Sequence, residues 1–236
     1  MVSENIIKLV NHEAWIECQQ RGRAYLKWGH LPETDGKLDP KSIKRAFVID
    51  AEGNEKAMVV GSDKEASSKG GLFLEFNAEK EGVYTIAVEY DRGIYSVTED
   101  NKWIFGEKSY VASLGYTVKE SRWICGFAKA YAIVGDYEDR VTAGLEFEII
   151  GDIKKFKSGD KIKVQLFFRD NPVKGEVNAR ANGKHAVIET DSNGFAEIEL
   201  VDGLNVISAR YVDEMTKIAG VCDKRSITTT LAIVVD

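Results

Sequence analysis

The sequence predicts an all-β protein, with an N-terminal β domain followed by an immunoglobulin-like β-sandwich. Three observations carry this. Apolar and polar residues alternate over short segments, the period of a half-buried strand rather than of a helix. Turn-forming clusters of Gly, Asn, Asp and Ser punctuate those segments, with 21 glycines and only 3 prolines in the chain. β-Branched and aromatic residues, which fit a pleated surface, concentrate between the turns. At 236 residues and 44% hydrophobic, the chain suffices for one large β domain or two smaller ones.

Taken in order, residues 23–30 put Ala24, Leu26, Trp28 and His30 on one face, with Tyr25 and Lys27 on the other. Residues 44–50 run into the turn cluster Ala51-Glu52-Gly53-Asn54, and 57–60 read as the hairpin return. The polar stretch 61–70 reads as a loop. Residues 71–78 and 82–90 read as a second strand pair, joined by Glu79-Lys80-Glu81. Residues 121–134 fit a short helix or a further strand equally. The polar cluster at 135–140 marks a linker, dividing the β domain of residues 1–136 from the sandwich of residues 137–236. Beyond it, strands at 145–150, 161–168, 176–181, 205–211 and 227–235, with one opened by Asp191-Ser192-Asn193-Gly194, give the rhythm of a small sandwich. Parity sends Ile162, Val164, Leu166 and Phe168 inward, together with Ala196, Ile198 and Leu200.

Composition removes several function classes. The net charge of −6, with 32 basic against 38 acidic residues, lacks the basic stripe of a nucleic-acid binder. No run approaches the ~18 apolar residues of a membrane span, so direct membrane insertion is not expected. Residues 1–10 do not read as a secretory leader, which fits a cytoplasmic protein or a mature chain whose leader is gone. The three cysteines, Cys18, Cys125 and Cys222, form no Cys-x-x-Cys motif and allow at most one internal disulfide. There is no Gly-x-Ser-x-Gly elbow and no phosphate-binding glycine loop, so the chain is not expected to be an enzyme. Tyr84, Tyr90, Tyr95 and Trp103 fit a carbohydrate platform, although sheet core is the commoner use of such a group.

The candidate site is a histidine pair. Of 3 histidines in the chain, His12 stands in His12-Glu13-Ala14-Trp15 and His30 in Trp28-Gly29-His30-Leu31-Pro32. Strand parity puts His12 with Ala14, Ile16 and Cys18, and His30 with Leu26 and Trp28, so both fall on the more apolar face. Neutral imidazoles in such surroundings suit Ni, Co, Cu or Zn. The alternative is two core histidines bonded to backbone carbonyls. Glu13, Glu33 and Asp35 are the nearest oxygen donors, the last two having the ordinary look of solvated loop carboxylates. Cys18 and Cys125 read as buried structural thiols, and His185 as exposed and unrelated.

In the C-terminal half, Val164-Gln165-Leu166-Phe167-Phe168, Asn171-Pro172-Val173-Lys174-Gly175 and Thr190-Asp191-Ser192-Asn193-Gly194-Phe195 resemble immunoglobulin-like and carboxypeptidase-regulatory-like modules. With the two histidine segments added, the chain resembles the extracytoplasmic metal-binding component of energy-coupling-factor nickel and cobalt uptake transporters. That resemblance implies a non-enzymatic protein that captures Ni(II) or Co(II) at a histidine site, His12 and His30, and delivers it to membrane transporter subunits. It also implies a periplasmic or cell-surface location, from which the leaderless residues 1–10 depart. The competing reading is a structural, adhesive or carbohydrate-binding two-module β protein with no metal.

Overall fold

The computed structural model describes residues 12–20, 22–31 and 33–235; the expectations placed on residues 1–10 and on Pro32 lie outside them. The chain forms β1 (Glu13–Gln20), β2 (Arg23–His30), β3 (Glu33–Thr34), β4 (Ile43–Ile49), β5 (Glu55–Ala57), β6 (Val59–Gly61), α1 (Lys64–Ser68) and β7 (Gly71–Glu75). Then come β8 (Gly82–Thr98), β9 (Trp103–Phe105), α2 (Lys108–Ser113), β10 (Val118–Val134), β11 (Phe147–Gly151), β12 (Lys161–Phe168) and β13 (Asn171–Pro172). The last five strands are β14 (Glu176–Ala181), β15 (Lys184–Glu189), β16 (Phe195–Glu199), β17 (Gly203–Asp213) and β18 (Lys224–Val235). The protein is all-β, as its alternation predicts.

Three sheets stack as layers. The central one has nine strands, in the order β15-β14-β17-β18-β10-β8-β4-β5 with β9 on β8. Five strands cover one side, β1-β2-β7-β6 with β3 on β2, and four cover the other, β11-β12-β13 with β16 on β12. Period-two alternation along the central strands explains the stacking. Phe47, Ala87, Phe127, Ile207 and Leu231 point into a core shared with Leu145, Phe147, Val164, Leu166 and Ile198. Their even-numbered neighbours Val48, Ile86, Val88, Ala128, Val206 and Ala232 join a second core with Ala14, Ile16, Leu26 and Trp28. A strand covered on both faces has to be apolar on both, and β8 is buried from Gly82 through Val88.

Several local expectations are corrected. Residues 121–134, which fit helix and strand equally in the sequence, are strand, the core of β10. The alanines at 128, 130 and 132 keep one face of β10 flat beneath β1. Residues 71–75 and 82–98 do not pair: β7 joins β2 and β6, whereas β8 joins β4, β9 and β10. The return at 57–60 splits, because β5 closes on β4 while β6 crosses to β7. The loop at 61–70 holds α1, capped by Asp63, whose side chain accepts from the Ala66 N–H.

The linker at 135–140 does not separate two cores. β10 pairs in parallel with β18, making strands from both sides of the linker neighbours in one sheet. A buried ion pair, Lys129 on β10 with Glu148 on β11, ties the central sheet to the third layer. Glu148 also accepts from the N–H groups of Ala143 and Leu145 and from the Thr142 hydroxyl, so its charge is fully partnered. Among the described residues, no helix is long and apolar enough to cross a membrane.

Candidate metal centre

The site forms at one end of the five-stranded layer, from the antiparallel register of β1 and β2. Glu13 faces Gly29 and Ala14 faces Trp28, so one further step puts His12 opposite His30. The two imidazoles have ring centroids 4.2 Å apart. His12 stacks on Trp28 at 5.3 Å with 11° between the planes. Trp28 in turn meets Tyr90 of β8 edge-on at 5.6 Å. Indole and phenol thus fix the buried imidazole from below.

A tight reversal supplies the third group. β3 folds back on the end of β2, pairing Gly29 with Thr34 and His30 with Glu33, and the Asp35 N–H donates to the Trp28 carbonyl at 3.0 Å. Gly29 permits this approach. A Cβ there would lie 2.3 Å from the Glu33 carbonyl oxygen and 2.7 Å from the Asp35 nitrogen, distances no side chain tolerates.

Asp35 Oδ2 then sits 2.6 Å from His30 Nδ1 and 3.0 Å from His12 Nε2, and accepts from the His30 backbone N–H at 3.2 Å. The hydrogen bond from the His30 side chain, aided by the charge attraction of both histidines, holds the Asp35 carboxyl below the usual carboxylate range. Burial is asymmetric: the His12 side chain is 2% exposed, those of His30 and Asp35 38% and 40%. The site therefore has a closed floor and an open mouth.

Chemically, two imidazole nitrogens and one carboxylate oxygen lie within 4.8 Å of one another, a group that could hold a metal ion. Donors at right angles on an ion with bonds of 2.0–2.1 Å stand about 3 Å apart, close to the separations from Asp35 Oδ2 to the two rings. With the shared protons removed, the set fits a borderline divalent ion such as Ni, Co, Cu or Zn. Among the described residues, this is the group of His, Cys, Asp and Glu donors within such reach.

The other candidates go elsewhere. Glu13 turns to the central sheet, where Ser208 donates to it at 3.0 Å and Arg180 lies at 3.3 Å, so it anchors β1 beside His12. Glu33 is exposed on β3. Cys18 faces Ala24 at the far end of β1, and burial pushes its thiol up to about 11. Cys125 is likewise raised to about 11 by burial, and Cys125 and Cys222 are free thiols. His185 is exposed on β15, 3.0 Å from Asn178 Oδ1. Tyr84 and Tyr90 are buried in the core. Asp35, which the sequence offers as a nearby oxygen donor with the look of a solvated loop carboxylate, is instead bonded to both histidines. Its signal was Gly29, directly before His30, with only four residues left between His30 and Asp35 for the chain to reverse.

A search among curated proteins finds no match. The sequence profile of one family, described as a domain of unknown function (DUF4198), matches residues 10–213. That span takes in both histidines, Asp35 and strands of all three sheets, and the chain belongs to the DUF4198 family.

Proposed function

We propose that this protein is a non-enzymatic transition-metal carrier, which captures Ni(II) or Co(II) at His12, His30 and Asp35 and hands it to a membrane transporter subunit. The convergence of two imidazoles and one carboxylate oxygen carries the reading. Supporting it are the floor formed by Trp28 and Tyr90, which limits solvent on one side, and the open mouth, which lets an ion enter and leave. A structural centre would be closed on every side, whereas a delivery site needs a free position. The sequence resemblance to nickel- and cobalt-uptake components points the same way, and with it goes an extracytoplasmic location.

Titration of the tag-free protein with Ni(II) and Co(II) by calorimetry tests this. Binding to one site is expected, weakening as pH falls through about 6.5, where free imidazole takes up a proton and competes with the metal. His12→Ala, His30→Ala or Asp35→Ala should each weaken it at least about tenfold, the loss typical of a disturbed metal site. His185→Ala should leave it unchanged. If the His12→Ala/His30→Ala protein binds as tightly as the parent, the same three side chains are an internal hydrogen-bonded network, and the metal-free β-module reading stands.

A further inference from the structure

Among the described residues, one charged group beside the site makes a ring contact but no ion pair. β8 and β10 shift register between the pairs Asp91–Cys125 and Gly93–Ile124, which makes Arg92 the extra residue of a β-bulge. Gly93 takes φ 77, and its N–H donates to Asp91 Oδ1 at 2.7 Å, fixing the bulge. A bulge re-aims a side chain. This one lays the Arg92 guanidinium 5.0 Å from the centroid of the Trp28 ring, the ring that stacks on His12. Arg23, Arg45, Arg180 and Arg225 are each held by an acidic side chain. Arg92 has no such ion pair among the described residues.

Resting on the metal reading above, we propose that the ion arrives as a complex with a small dicarboxylate chelator, one of whose carboxylates is received by Arg92. Three protein donors occupy half the positions of an octahedral ion, leaving the other half at the open mouth. A divalent ion with one carboxylate and two neutral imidazoles keeps one net positive charge, and Arg92 adds a second. A dianionic, tridentate chelator both completes the coordination and neutralises that charge. Stacked on indole, a guanidinium still presents its in-plane N–H fork, the geometry that takes a carboxylate through two parallel hydrogen bonds.

Equilibrium dialysis of the full chain against nickel chloride, and against the 1:1 complex of Ni(II) with labelled iminodiacetate, tests this. The parent should retain metal and chelator one-to-one. Arg92→Ala should keep its affinity for bare Ni(II) within about twofold, yet lose about 10- to 100-fold toward the chelated ion, the worth of a charged hydrogen-bonded contact. Arg92→Lys, with charge but no fork, should fall between them. The chelator proposal is overturned if the parent binds Ni(II) while excluding iminodiacetate. It is equally overturned if Arg92→Ala weakens bare and chelated metal alike, since the arginine would then only pack on Trp28. Should the parent retain no Ni(II) in either form, the metal reading itself falls and takes the chelator with it.

Discussion

At the scale of single residues, the site depends on a residue that touches no ligand. Gly29 lets the chain double back so closely that Asp35 reaches both imidazoles. Gly29→Ala should push residues 33–35 away from β2 and weaken Ni(II) binding about as much as Asp35→Ala does, while the side chains of His12 and His30 are intact. Calorimetry on the two variants checks this, and parent-like affinity in Gly29→Ala would show that Asp35 is not a ligand. The histidine pair was legible in the sequence because strand parity is local. Asp35 was not, since a carboxylate five positions past a histidine looks like any loop acid until the hairpin that folds it back is known. Arg92 was hidden for a similar reason: its direction is set by a bulge, and bulges leave only a glycine as a trace.

For the elements, alternation located the strands and their inward faces but not their partners. Residues 71–75 and 82–98 look like a hairpin because they are adjacent and joined by a charged turn, yet they lie in different layers. The distinguishing signal is burial on both faces, written in β8 as a run of apolar and small residues without an outward polar set. The same uncertainty attached to β10, whose residues 121–134 fit a helix and a strand equally. Lys129 interrupts that apolar pattern and is neutralised from another layer by Glu148. Lys129→Met should destabilise the fold by about 3–5 kcal/mol, because it leaves a buried carboxylate without its counter-charge. Urea denaturation measures this, and a loss under about 0.5 kcal/mol, the size of an ordinary surface change, would mean the pair is solvated.

For the whole molecule, the change of composition at 135–140 reads as a boundary, but strand pairing runs through it. β10 and β18 are neighbours, and Phe47, Ala87 and Phe127 fill the same core as Leu145, Phe147 and Leu231. Separating the chain at this point would strip one face of β8 and β10 of its cover and leave β18 paired with β17 alone, without β10. Expressed separately, residues 1–136 and residues 137–236 should therefore each lack a cooperative unfolding transition. Mixing them should restore one if they reassociate. A sharp melting transition in either piece alone would show that half to be an independent domain. Such long-range pairing is set by tertiary packing, which no local pattern encodes.

The account turns on three donor atoms meeting at one ion. Crystals of the nickel-loaded protein, measured at the nickel absorption edge, address this directly through anomalous scattering. The expected result is one strong peak about 2.0–2.2 Å from His12 Nε2, His30 Nδ1 and Asp35 Oδ2, the usual bond lengths of such donors. A peak at His185 or at a cysteine, or none on protein donors at all, would contradict it.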